Sequence, residues 1–168
     1  MTIHAEHPFR DPEPDPLRRF RGRVGSTVSL WTSGAEQARA GLTVTSFLVA
    51  AGRRAACSAC WTPTPTSPSG WSRPVRRWCS CWAWEHRELA DVFAGTAPAP
   101  GGMFRQAEFA QTTWGPRLTS AGSWAGVRLE SRQDVGWSTL VTTVVEHLEV
   151  SDDDDPEPLW HRRGRYGR

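Results

Sequence analysis

The sequence predicts a small, mainly β barrel built as one domain, with one or two short helices. Three observations carry that prediction. Several stretches alternate apolar and polar residues at period two, one stretch has helical spacing, and 168 residues suffice for one sizeable core but not for two.

The elements follow in chain order. Pro8, Pro12, Pro14 and Pro16 each fix φ and push the preceding residue toward extended geometry, so residues 1–23 are expected as an extended surface arm and residues 24–168 as the domain. Val24, Val28 and Leu30 sit among Ser and Thr, which predicts a half-buried strand over Val24–Thr32 and a turn over Ser33–Ala40. Leu42–Val49 alternates again and predicts a second strand whose polar positions are all hydroxyls, the first pointer to a ligand. Leu89, Val92 and Phe93 at helical spacing, with Gly95 as a stop, predict a helix over Trp84–Ala94. Thr96–Pro116 is rich in Pro and Gly and is expected as a long loop, a lid or a dimer contact. Two further strands are expected at Trp124–Glu130 and Trp137–Val150, before the acidic run Asp152–Asp155 breaks the pattern as a solvated turn. Strands outnumber helices, which favours a small barrel.

Charge narrows the function classes. The chain has no Lys, and its arginines nearly balance Asp and Glu for a net charge of +2, scattered rather than striped. Nucleic acid is therefore not the expected partner. The first twenty residues lack the apolar run of a signal peptide and no segment reaches membrane-span length, so the expectation is a cytoplasmic enzyme or binding protein with no membrane contact.

Residues 53–82 hold every cysteine and stand apart in composition. Cys57 and Cys60, with Cys79 and Cys81, have the pairing of a structural zinc site. The second pair, Cys-x-Cys, is tighter than a zinc knuckle prefers, and a cytoplasmic disulfide is disfavoured. A codon argument accounts for the segment differently. Cys and Trp codons begin with TG, so a frame starting one base earlier converts each into Leu, Val or Met. The all-Arg, Ala-, Gly- and Pro-rich composition indicates GC-rich codons. Under that usage Cys57 through Trp71 can be read as Val-Leu-Gly-Leu-Leu-Asp-Pro-Asp-Pro-Asp-Leu-Ala-Glu-Arg-Leu: a buried strand, an acidic turn and a helix start. Trp78 through Trp82 becomes a run such as Val-Val-Gln-Leu-Leu, a second strand. The expectation is that residues 53–82 are translated out of frame between two compensating shifts, the alternative being a genuine Cys- and Trp-rich insertion.

The flanks resemble the flavin reductase-like family of FMN-binding split barrels. The resemblance rests on Ala40-Gly-Leu-Thr-Val-Thr-Ser-Phe47 after a first strand and on the helix ending Leu89-Ala-Asp-Val-Phe-Ala-Gly95. Trp114-Gly-Pro-Arg-Leu118, the strand pair around Gly136, and the tail Pro158–Tyr166 support it. It implies a six-stranded antiparallel split barrel, a homodimer with FMN at the subunit interface, and FMN (or FAD or riboflavin as substrate) reduced by NADH or NADPH. A monooxygenase component is the implied further partner. By position it implies that Thr43, Thr45 and Ser46 contact the flavin, with Phe47 beside the ring or in the core; the alternative is that Thr45 and Ser46 are plain strand-surface hydroxyls. Many reductases of this family carry Gly-Asp-His where this chain has Gly136-Trp137-Ser138, so Ser138 stands where a nicotinamide-side histidine is expected. His161 and His86 remain as candidates for cofactor contact. Arg163, with Arg162 and Arg165, is implied to meet a cofactor phosphate or, alternatively, the acidic run. No catalytic residue is assigned, because hydride transfer needs stacking and exclusion of water more than acid or base groups. A non-catalytic flavin-binding barrel is the second reading and a zinc-stapled binding module the third.

Replacing about five buried aliphatics at roughly 1.5–3 kcal/mol each threatens a total stability of only about 5–15 kcal/mol. The chain is therefore expected to fold poorly or to bind FMN weakly.

Overall fold

The structure is a computed structural model, and it describes residues 16–62, 76–152 and 157–168. The expected arm ends differently from the expectation. Pro16–Arg23 is a helix, α1, because a proline at the first helical position lacks only an N–H that would have no partner there anyway. The rest of the arm, residues 1–15, lies outside the described residues.

Twelve strands are described: β1 Ser26–Thr27, β2 Ser29–Ser33, β3 Ala40–Val44, β4 Phe47–Ala50, β5 Ala56–Trp61, β6 Arg76–Cys81, β7 Phe109–Thr112, β8 Gly115–Leu118, β9 Trp124–Val135, β10 Ser138–Glu149, β11 Trp160–Arg162 and β12 Arg165–Gly167. One sheet runs β3-β2-β6-β9-β10-β5-β4, antiparallel at every pairing. Its two outermost strands, β3 and β4, are joined by only Thr45 and Ser46, so one bent strand closes the sheet on itself. The result is the expected barrel of six strands, counting β3 and β4 as one. The single strand expected over Leu42–Val49 is thus two. Val44 and Phe47 both pack on the interior cluster, which leaves two residues between inward positions where strict alternation allows one. That bulge turns the chain from β2 onto β5.

The barrel interior holds Trp31, Val44, Cys57, Ala59, Cys79, Val127 and Val141 with their neighbours. A second cluster lies outside β2, β6 and β9, where Leu30, Trp78, Trp82 and Trp124 meet Phe93, Leu118 and Leu159. Helix α2, Arg87–Ala94, covers that side and stops at Gly95 in the left-handed conformation, as its sequence position predicts. A short 3-10 turn, Trp84–His86, precedes it. Two glycines make the close packing possible. A Cβ on Gly41 would run into the Phe93 ring, and one on Gly126 into the Trp114 indole.

The region expected as a loop contains a hairpin, β7 and β8, after a 3-10 turn at Met103–Arg105. Pro116 is compatible with a strand there because β8 lies in a two-stranded sheet, where no second neighbour needs its missing N–H. The tail is also strand: β11 and β12 form a small sheet with β1.

Within the anomalous segment the structure places β5 and β6, one at each end, with residues 63–75 outside the described residues. These are the two places where the shifted reading predicts strands. Their residues suit those seats poorly. Arg77 is fully buried, and Trp78 Nε1, Ser80 Oγ and Trp82 Nε1 are buried without a hydrogen-bond partner.

Candidate functional site

Strand alternation decides which side chains can meet a ligand. On β5, Cys57 and Ala59 point into the barrel, so Ser58, Cys60 and Thr62 point out. On β10, Val141 is interior, so Ser138, Leu140 and Thr142 point out beside them. The register pairs Ser58 with Thr142 and Cys60 with Leu140. Ser58 Oγ lies 3.4 Å from Thr142 Oγ1, and the Thr62 and Ser138 hydroxyls are 3.1 Å apart. The bulge closes the row on the other side, where the Cys60 N–H donates to the Ser46 carbonyl at 2.8 Å. The face over β4, β5 and β10 is therefore small, hydroxyl-bearing and flanked by Leu48 and Leu140. Across two strand spacings and one residue pair along the strands, Ser46 and Ser138 are about 12 Å apart, close to the length of a three-ring heterocycle.

The expected flavin contacts divide over this geometry. Ser46 and Ser138 share the outer face. Thr45 sits beside Ser46 on the bulge, half-buried and outside both core clusters. Thr43 does not join them: its hydroxyl donates to the Ala90 carbonyl of α2 at 2.8 Å and ties helix to barrel. Phe47 takes the core alternative and packs on the interior cluster. His161 stacks edge-on against Tyr166 at 5.6 Å. Arg163 forms a turn, with φ +52° and its backbone N–H donating to the Gly22 carbonyl at 2.8 Å.

His86 is held in place rather than free. Its Nδ1 accepts from the Ala83 backbone N–H at 3.3 Å and its Nε2 meets the Ser120 hydroxyl at 2.9 Å. Burial pulls its pKa below the ordinary histidine value, with Glu85 opposing, so the imidazole is neutral near pH 7. It lines a cleft of about 270 Å³ with Cys81, Ser120, Ser123 and Pro158.

The cysteines do not assemble a zinc site. Among the described residues no group of three or more His, Cys, Asp or Glu is placed to hold a metal. Cys57 and Cys79 meet inside the barrel, where a hydrogen bond between them lowers the Cys57 pKa and raises that of buried Cys79. Cys60 is half-buried and Cys81 exposed. A spacing of three on a strand sends Cys57 and Cys60 to opposite faces, which sequence spacing alone does not reveal.

One feature was beyond reach of the sequence. Arg23, at the end of α1, joins Trp160, Arg162, Arg165, Tyr166 and Arg168 around an open groove of about 500 Å³. Asp153, Asp154 and Asp155, the alternative partners of the tail arginines, lie outside the described residues. No helix among the described residues is long and apolar enough to cross a membrane.

Residues 21–168 match the flavin reductase like domain. No curated protein matches. Among solved structures, the chain is similar to the NADH:FAD oxidoreductase SgcE6 of Streptomyces globisporus C-1027, with TM-score 0.80 and 18% identity over 95% of this chain and 97% of that one. It is similar to a flavin reductase domain protein from Arthrobacter sp. FB24, with TM-score 0.78 and 18% identity over 90% of this chain and 92% of that one. A nitrilotriacetate monooxygenase component B from Mycobacterium thermoresistibile matches with TM-score 0.77 and 19% identity, over 90% of this chain and 83% of that one. At such identities the structural likeness is one of fold, a mainly β split barrel. The match across residues 21–168 settles the family: this chain belongs to the flavin reductase like domain family.

Proposed function

We propose that the chain is an NAD(P)H:flavin oxidoreductase that holds FMN against the outer face of β4, β5 and β10. The observation that carries this reading is the set of short hydroxyls at Ser46, Thr62 and Ser138, gathered by the bulge and the β5–β10 register. Such groups can bond ring carbonyls and nitrogens without bulk, and Leu48 and Leu140 offer apolar contact to a planar ring. Bound there, the flavin supplies two-electron redox chemistry with a nicotinamide. The protein's part is orientation: Ser46 and Ser138 fix the ring's edge, and the flat face excludes water from one side. FAD or riboflavin fits the same recognition as FMN, because the ring is what the face meets.

The homodimer belongs to the same proposal. Strand β4 is an edge, with Leu48 57% and Val49 67% exposed, and a second copy would cover it and the ring together. The proposal includes a cytoplasmic, flavin-supplying partnership with a monooxygenase component, supported by the likeness to a nitrilotriacetate monooxygenase component B. Mixing the purified chain with FMN and NADH or NADPH and following nicotinamide absorbance tests the activity. No oxidation above the protein-free rate removes the enzymatic reading.

One observation favours a second reading. Ser138 stands where a histidine is expected for the nicotinamide side, and its hydroxyl is engaged with Thr62. A non-catalytic flavin-binding barrel predicts bound flavin without turnover in the same assay.

A further inference from the structure

Helix α1 sits the wrong way round for a surface helix. It joins the molecule through Gly22, whose carbonyl accepts from the Arg163 backbone N–H at 2.8 Å and where an added Cβ would lie 3.9 Å from the Arg163 Cα. The Arg162 Nε holds the end of the helix by donating to the Arg23 carbonyl at 3.2 Å. At about 100° per residue, Leu17, Phe20 and Val24 lie roughly 140–200° around the axis from Gly22, on the opposite side. Val24 belongs to the same turn, because its N–H donates to the Phe20 carbonyl at 3.3 Å. The apolar stripe that ordinarily faces a core therefore faces solvent: Leu17 is 72% exposed, Phe20 66% and Val24 59%.

Arginine flanks this stripe. The helix carries Arg19, Arg21 and Arg23 and no acidic residue. Among the described residues, no carboxylate forms an ion pair with any of the three. By the same rotation Arg21 lies about 40° beyond Leu17 and Arg23 about 60° beyond Phe20, one on each side of the stripe. Their stems can lie along apolar surface while the guanidinium groups stay in water. The apolar surface continues past the helix, since Val24 lines the same open groove as the half-buried Trp160.

Shape and charge select the occupant. Helix α1 stands as a ridge, with Leu17, Arg19, Phe20, Arg21, Arg23 and Val24 all exposed. A protein partner needs a groove matched to that ridge and roughly 1,000 Å² of contact or more, which Leu17, Phe20 and Val24 do not supply. A second copy meeting the ridge about a two-fold axis would set like charges against one another. A bilayer surface imposes no matching shape. Leu, Phe and Trp enter the boundary between headgroups and acyl chains, and the flanking arginines meet anionic headgroups there.

We infer that α1 is a peripheral membrane contact, in which Leu17, Phe20 and Val24 enter an anionic bilayer surface and Arg21 and Arg23 meet its headgroups. A contact of this kind needs neither an apolar leader nor a spanning helix, the two features whose lack underlies the expectation of no membrane contact. It is independent of the flavin reading, which concerns the face over β4, β5 and β10.

The test is co-sedimentation of the whole chain with vesicles of phosphatidylcholine alone and of phosphatidylcholine mixed with phosphatidylglycerol, at low and high salt. The chain is expected to pellet with the mixed vesicles only, and less as salt rises. Phe20→Ser combined with Val24→Ser is expected to weaken that binding about tenfold or more, because two of the inserting side chains are lost. Arg21→Gln combined with Arg23→Gln is expected to weaken it by a similar factor and to flatten its dependence on salt. All four side chains are exposed, so circular dichroism should match the parent. Leu148→Ser, at a residue 64% exposed on β10, should leave vesicle binding unchanged. No pelleting with the mixed vesicles, equal pelleting with the neutral ones, or pelleting that survives both double variants overturns the inference. Sedimentation velocity without lipid gives a further check. A lower oligomeric state in Phe20→Ser with Val24→Ser would assign the ridge to a second copy and equally overturn it.

Discussion

Arg77→Leu should stabilise this chain, against the usual trend that substitutions in a core destabilise. Arg77 lies opposite Ser33 on β2 and Val127 on β9 and on the same side of β6 as Cys79, inside the barrel. It is fully buried, and loss of hydration lowers its pKa from the ordinary arginine value to about 10. At roughly 1.4 kcal/mol for each tenfold change in the proton equilibrium, that depression corresponds to about 3 kcal/mol of strain on the charged form. Leucine removes the charge and keeps apolar volume at the loss of the guanidinium's own contacts, so thermal unfolding should rise by at most roughly 6–12 °C at about 2–4 °C per kcal/mol for a chain of this size. The sign with pH is also fixed. Between the folded value and the higher unfolded value the unfolded state binds more protons, so the stability of the parent should begin to climb as pH rises through about 10. The leucine variant should lack that component. Scanning calorimetry of both proteins from pH 7 to 10.5 reads it directly, and an unchanged or lowered transition in Arg77→Leu would refute the reasoning.

Thr43→Val should cost about 1 kcal/mol by urea unfolding, through loss of the bond to Ala90, and leave flavin affinity unaltered. Ser46→Ala should do the reverse, weakening flavin roughly fivefold with little effect on stability. Gly126→Ala should destabilise by about 1–3 kcal/mol, because the added Cβ displaces the Trp114 indole from its packing on Trp124 and His147. Reading the gene across codons 50 to 85 should reveal two compensating shifts that bracket residues 53–82 relative to close relatives. An uninterrupted gene with no such shifts would leave the cysteine-rich strands as the real sequence.

Period-two alternation placed β2, β9 and β10, and Gly95 marked the end of α2, because those signals are local. The helix at Pro16–Arg23 was hidden by the prolines before it, whose effect stops at Pro16. The bulge left a local trace, because the alternation of Leu42–Val44 breaks at the adjacent hydroxyls Thr45 and Ser46, but only the change of partner from β2 to β5 shows that the break is a corner. Strands β5 and β6 were legible through the codon argument rather than through their residues, since Arg77, Trp78 and Trp82 do not read as ordinary strand cores. In the candidate site, Ser46 and Ser138 were placed by family position, and the structure put them on one face. The hydroxyl of Thr43 was not separable from theirs by sequence, because its acceptor lies on α2, across the fold. The arginine groove was invisible for the same reason, with Arg23 and the tail at opposite ends of the chain.

The central claim is that the outer face of β4, β5 and β10 binds flavin for reaction with a nicotinamide. Its most direct test is titration of the purified chain with FMN, followed by quenching of flavin fluorescence, in the parent and in Ser46→Tyr with Ser138→Tyr. The expected result is saturable binding at one flavin per chain in the parent, nicotinamide-dependent bleaching of the bound flavin, and loss of both in the doubly blocked variant with its fold intact. Flavin binding and bleaching that survive the two tyrosines would contradict the claim.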